Sequence, residues 1–153
     1  SQDVMPNIRE YFSGGSNSMR AWGVRSLGPG SYSLDTAEIT FALGDIKLEA
    51  NIEQRFPLFW KFNGALFVDA GNIWTVYDID KQKNGQFSNV FYKDIAIGTG
   101  AGLRIDFSFF VFRFDFAIKT RNPSLRDSQK WIWNKDKITG SDFNLTLGIG
   151  YPF

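Results

Sequence analysis

The chain has 153 residues, carries 17 Lys and Arg against 16 Asp and Glu, and contains neither cysteine nor histidine. A net charge of +1 gives no reason to expect nucleic acid or a strongly charged partner. The missing Cys and His exclude a disulfide framework, a zinc site, thiol chemistry and histidine-based catalysis. No run of about 20 apolar residues is present, which excludes a membrane-spanning helix.

Residues 1–44 alternate poorly and are loaded with turn formers, as in Ser13-Gly-Gly-Ser-Asn-Ser18 and Leu27-Gly-Pro-Gly-Ser-Tyr32. A loop of this length in a compact protein is functional or disordered. Tyr11, Phe12, Trp22 and Tyr32 argue against a disordered linker.

Residues 45–153 hold five strand-like segments, at 45–56, 60–74, 94–107, 110–119 and 143–153. In the first, Ile46, Leu48, Ala50 and Ile52 alternate with Lys47, Glu49, Asn51 and Glu53. The second opposes Leu66 and Val68 to Phe67 and Asp69, and the third opposes Ile97, Ala101 and Leu103 to Gly98, Gly100, Gly102 and Arg104. In the fourth, Phe110, Phe112, Phe114 and Phe116 alternate with Val111, Arg113 and Asp115. The fifth sets Phe143, Leu145, Leu147, Ile149, Tyr151 and Phe153 against Asn144, Thr146, Gly148, Gly150 and Pro152.

A strand that is apolar outward and small or polar inward suits a transmembrane β-barrel with a wet lumen. Segments of about 10 to 14 residues are long for soluble strands but right for tilted spans. The connections sort in the same way. Residues 56–60 and 107–110 are tight and aromatic, whereas residues 75–93 and 120–142 are long and polar, the asymmetry of outer-membrane barrels. The aromatic turns would lie at the periplasmic interface with Tyr151 and Phe153. Trp74, Tyr77, Phe91, Tyr92, Trp131 and Trp133 would form the outer girdle. A soluble sandwich is the alternative, and it would have to explain such pure charged and apolar faces. Five strands cannot close a membrane barrel, for which about eight is the usual minimum. The chain is therefore expected to be a piece of a larger barrel, with the remaining strands supplied by an upstream part of the same product or by other chains.

Arg9-Glu-Tyr-Phe-Ser-Gly-Gly-Ser-Asn-Ser-Met-Arg-Ala-Trp22 resembles the sixth extracellular loop of the BamA/TamA family of outer-membrane assembly and translocation proteins. That loop has an aromatic-x-Gly-Gly stretch before a signature of the type Val-Arg-Gly-aromatic. The signature falls on Met19-Arg20-Ala21-Trp22, with Met for Val and Ala for Gly. Leu27-Gly-Pro-Gly-Ser-Tyr32 is similar to the Gly-Pro segment that follows. Phe67-Val-Asp-Ala-Gly71 fits a Phe-x-Asp-x-Gly pattern, Gly98-Thr-Gly-Ala-Gly-Leu-Arg104 looks like the Gly-rich strand behind it, and the strand ending at Phe153 looks like the terminal assembly signal. Within the family the loop is most similar to the TamA-like lipoprotein branch of Bacteroidetes, often called TamL. The resemblance implies an all-β, antiparallel transmembrane barrel, of which this chain is the last five of sixteen strands plus the in-folded loop before them.

Parity alone places Glu49, Glu53, Phe67, Asp69, Arg104 and Arg113 on the lumenal side. The resemblance implies that Arg20 folds back into the lumen against Asp69 and Glu53, in a contact region that also holds Trp22, Phe67, Gly71 and Arg104. An arginine buried in a barrel needs an anion, and its planar fork pairs bidentately with a carboxylate. The alternative is that Asp69 and Glu53 only solvate the lumen. Gly98, Gly100 and Gly102 could be read as a phosphate cradle, but no helix follows them; close approach of another chain segment is the better account. Gly148, Gly150 and Pro152 would keep the last strand loosely paired, and Tyr151 and Phe153 would complete the terminal signal.

No nucleophile–base arrangement is present, so the chain is not read as an enzyme, and no metal or cofactor is expected. The function implied by the resemblance is assembly, insertion or translocation of other outer-membrane or exported proteins, from the bacterial outer membrane, with the C-terminus on the periplasmic side. The expected partners are membrane lipid, the remaining strands of the barrel and client outer-membrane proteins. A passive pore or adhesin, or a two-partner secretion pore, is the competing reading.

Overall fold

The computed structural model describes residues 10–32, 43–76 and 84–150. Five strands form one antiparallel sheet in chain order: β1 (Ile46–Phe59), β2 (Phe62–Trp74), β3 (Ala96–Asp106), β4 (Val111–Arg121) and β5 (Phe143–Gly150). The fold is all-β, and its strands alternate because their sequences do. Across the outer face run rows such as Gln54–Leu66–Ala101–Phe116–Leu145 and Phe56–Gly64–Leu103–Phe114–Leu147. Among the described residues no protein layer covers this face: Ile52 is 73% exposed, Leu147 65% and Ile149 71%. Phe110, Phe112, Phe114 and Phe116 lie on this face, with Phe110 edge-on to Phe112 and Phe112 stacked on Phe114. They do not converge on a closed protein core, so the sandwich alternative fails.

The inner face is its opposite in chemistry. Its rows read Asn51–Asp69–Gly98–Lys119, Glu53–Phe67–Gly100–Ala117–Asn144, Arg55–Ala65–Gly102–Asp115–Thr146 and Asn63–Arg104–Arg113–Gly148. Onto it packs the segment 10–32, whose Met19, Ala21, Trp22 and Leu27 form the buried apolar cluster with Phe67, Ala96 and Ala117. The segment doubles back through bridges from Tyr11 to Gly44 and from Ser13 to Leu27. Gly14 and Gly15 turn it with φ of 103° and 101°, a region open to glycine and strained for other residues.

Strand ends depart from the sequence expectation for local reasons. β1 continues beyond residue 56 to Phe59, with a register shift between Pro57 and Phe59, because proline offers no ladder donor and sits at an irregularity. Trp60 has φ 50° and forms the turn with Lys61, so β2 starts at Phe62. A short 3-10 turn at Phe91–Asp94 delays β3 to Ala96, and β4 runs on to Arg121. The girdle expectation needs one correction. Trp74 is fully buried, with Phe87 and Phe91 edge-on at 5.6 and 6.0 Å. It is core under Phe87 and Phe91, whereas Tyr92 and Trp133 are exposed. Tyr77 lies outside the described residues.

Candidate functional site

Arg20 stands in a tight turn closed by Trp22 N–H to Met19 O at 3.0 Å, while Gly15 N–H donates to Trp22 O at 2.9 Å. The turn aims the guanidinium down onto the inner face of β1 and β2. Its Nε and Nη2 donate to Asp69 Oδ2 and Oδ1 at 2.9 and 2.7 Å, and its main-chain N–H donates to Oδ2 at 3.0 Å. Nη1 donates to Glu53 Oε2. The guanidinium carbon lies 3.6 Å from the centre of the Phe67 ring, a cation–π contact in a desolvated place. Arg20 is 5% exposed and Asp69 not at all. Burial alone would pull the guanidinium pKa down, but the hydrogen bonds and charges of Asp69 and Glu53 outweigh it and raise the value.

A carboxylate this buried needs every acceptor site filled. Asn51 supplies the remaining donor to Asp69, at 3.0 Å. Glu53 is equally full: Arg55 Nε donates to it at 2.6 Å and Arg104 Nη2 at 2.9 Å. Arg104 in turn donates through Nη1 to Asp115. The result is a chain of alternating charge, Asp69–Arg20–Glu53–Arg104–Asp115, that crosses β1 to β4 under the loop. Breaking such a buried pair by removing one partner costs about 3–5 kcal/mol, because the other charge is left uncompensated.

The glycines make room for this arrangement. A Cβ on Gly98 would stand 2.8 Å from that of Ala21, and one on Gly100 would press on the Phe67 ring at 2.8 Å from Cε2. At Gly71 it would meet the Glu49 backbone and side chain at 2.9 and 3.0 Å. Glu49 uses that space to take the hydroxyls of Ser13 and Ser18. Gly71 thus serves the loop through Glu49 and does not touch Arg20. Trp22 is buried against Gly98, with Lys119 Nζ 5.7 Å from its ring.

Of the residues singled out from sequence, the structure gathers Arg20, Trp22, Glu53, Phe67, Asp69 and Arg104 under the loop. Gly148 lies elsewhere, beneath the Arg113 guanidinium, where a Cβ would stand 3.1 Å from Nε. Gly150 pairs with Val111, with open space beside it. Tyr151, Pro152 and Phe153 lie outside the described residues. Sequence reasoning missed Asn51, Asp115, Asn144 and Thr146 as members of the site. Their inward parity was the signal that could have found them.

No solved structure matches the chain. The Omp85 superfamily domain matches residues 1–152. Proteins of that superfamily are outer-membrane β-barrels that serve protein assembly and translocation and are not enzymes. An apolar outer face, a polar inner face closed by an in-folded loop, and a match over almost every residue lead to one statement: the chain belongs to the Omp85 superfamily.

Proposed function

We propose that the chain forms part of an outer-membrane barrel that assists assembly, insertion or translocation of other outer-membrane or exported proteins. The observation that carries the reading is the Arg20 clamp: one loop residue shared by Asp69 and Glu53 and buried under a loop that covers the lumenal face. The loop covers the described inner face and is held there by a charge network that a passive pore does not require. Lipid covers the outer face. Further strands, from the same product or other chains, satisfy the free edges of β1 and β5, since an open edge in hydrocarbon leaves unpaired backbone groups. The aromatic turns at residues 59–62 and 107–110 are assigned to the periplasmic rim, toward which the described end of β5 also runs, Gly150 pairing with Val111. The loop motif supports the TamA-like lipoprotein branch, and a lipobox cysteine ahead of the barrel in the full-length gene product would test it.

The test replaces Asp69 by Lys in the full-length protein and follows client proteins in the outer membrane. Client levels should fall more steeply than the level of the barrel itself in the same membranes, because the clamp also stabilises the barrel. Unchanged clients with altered ion conductance would favour a passive pore or adhesin, and loss of one dedicated substrate alone would favour a two-partner secretion pore.

A further inference from the structure

Three alternate carbonyls of the in-folded loop are each taken by a side chain from a different strand. Arg113 of β4 donates to Ser16 O at 3.4 Å, Asn51 of β1 to Ser18 O at 3.0 Å, and Asn144 of β5 to Arg20 O at 2.7 Å. Thr146 Oγ1 reaches the same Arg20 carbonyl at 3.5 Å and accepts from Asn144 Nδ2 at 3.2 Å. Among the described residues no main-chain N–H takes that carbonyl. A buried carbonyl needs a partner, and here β5 supplies it.

The consequence follows from topology. β1 and β5 are the outermost strands of the sheet, with three others between them. Arg20 joins both: its guanidinium is held by β1 and β2, its carbonyl by β5. We infer that Asn144, supported by Thr146, is a positioning residue that couples the place of β5 to the Arg20 clamp. When β5 shifts away from the loop, the carbonyl loses its donors and the hold of Asp69 and Glu53 on the guanidinium loosens with it. An amide suits the task because it donates without adding positive charge beside Arg20. The inference rests on the assembly or translocation reading above, in which the pairing of an edge strand changes during work.

The experiment uses the full-length protein in membranes and reads hydrogen exchange at the amides of Gly15, Ser18 and Trp22, whose main-chain bonds hold the loop turn. Asn144→Leu and Thr146→Val remove the donors while keeping similar shape. Exchange at these amides should become about fivefold faster in Asn144→Leu, the effect of losing one net hydrogen bond, with β2 unchanged. Asn144→Gln, which keeps an amide, should restore much of the protection. In an Asp69→Asn background, where the clamp is already loosened, Asn144→Leu should add less than about twofold, because coupled sites are not additive. Unchanged exchange in Asn144→Leu, or full multiplication of the two effects, overturns the coupling. If Asn144→Leu fails to accumulate, Thr146→Val carries the same comparison with a smaller effect. Client assembly in the same strains separates the two ideas. Coupled exchange with unaffected assembly rejects the assembly reading and leaves the coupling. Impaired assembly with unaltered exchange rejects the coupling and leaves the reading.

Discussion

Arg20 and Asp69 are both buried, and the Asp69 carboxylate takes two guanidinium hydrogen bonds from Arg20. Asp69→Asn should destabilise the folded barrel by about 3–5 kcal/mol, the usual cost of stranding one member of a buried pair, as read from the loss of heat-modifiable folded form. Asp127→Asn, at an exposed loop carboxylate, should leave the folded form unchanged; equal effects would reject the clamp as a special site. Asp142 offers a pH test outside the spanning strands. Burial pushes its carboxyl pKa up, but Lys135 at 2.6 and 2.7 Å and Thr139 N–H at 2.8 Å outweigh that and hold it below the ordinary value. A lowered folded value means that the stabilisation is present above the ordinary 3.8 and is lost as pH falls below it. The 135–142 connection should therefore gain protease sensitivity below about pH 3.8 in the parent and show no such step in Asp142→Asn.

At the level of elements, β5 differs from β2 in having one neighbour where β2 has two. The free side of β5 carries unpaired backbone groups, so its amides should exchange faster than those of β2 in the full-length protein unless another strand covers them. Equal protection would indicate a fully zipped barrel and would move the functional reading toward a passive pore. The outer face of β5 makes a second prediction. Leu147→Arg places a charge on a face with no protein cover and should cost about 2–4 kcal/mol at the bilayer midplane, measured by folding into lipid vesicles. Thr146, one residue away, points to the loop, so Thr146→Val should cost far less. A reversed order would mean that the two faces have been assigned the wrong way round.

For the molecule as a whole, the apolar face of strands 11 to 14 residues long in β1–β4 forms a band of about 25 Å when tilted. This band and the opposed polar face explain how a chain with mean hydropathy of −0.21 belongs to a family of membrane proteins. Only alternate residues meet lipid, so the average stays low while the face is apolar. The full-length protein should remain with the outer membrane after alkaline extraction, and recovery in the soluble fraction would overturn the spanning arrangement. Its shape is that of a sheet bound through its inner face to one segment, with Arg20 as the residue held from both margins.

The faces of all five strands were legible in the sequence because a period of two is a local property: Leu145, Leu147 and Ile149 announce their side without reference to any other strand. The inward placement of Asp69, Glu53 and Arg104 followed from the same counting. What counting cannot supply is which inward groups meet. Arg20 reaches Asp69 across 49 positions and its carbonyl reaches Asn144 across 124, so these contacts exist only once the loop has folded over the sheet. Trp74 shows the same limit from the other side. Its place beside a long polar connection suggested an interfacial ring, yet Phe87 and Phe91 of that connection bury it. Alternation by itself determined the sheet and its two faces. The tertiary structure decided the clamp, because a buried charge takes the partners that three-dimensional proximity provides, and proximity between distant strands is written in register and loop path rather than in local pattern.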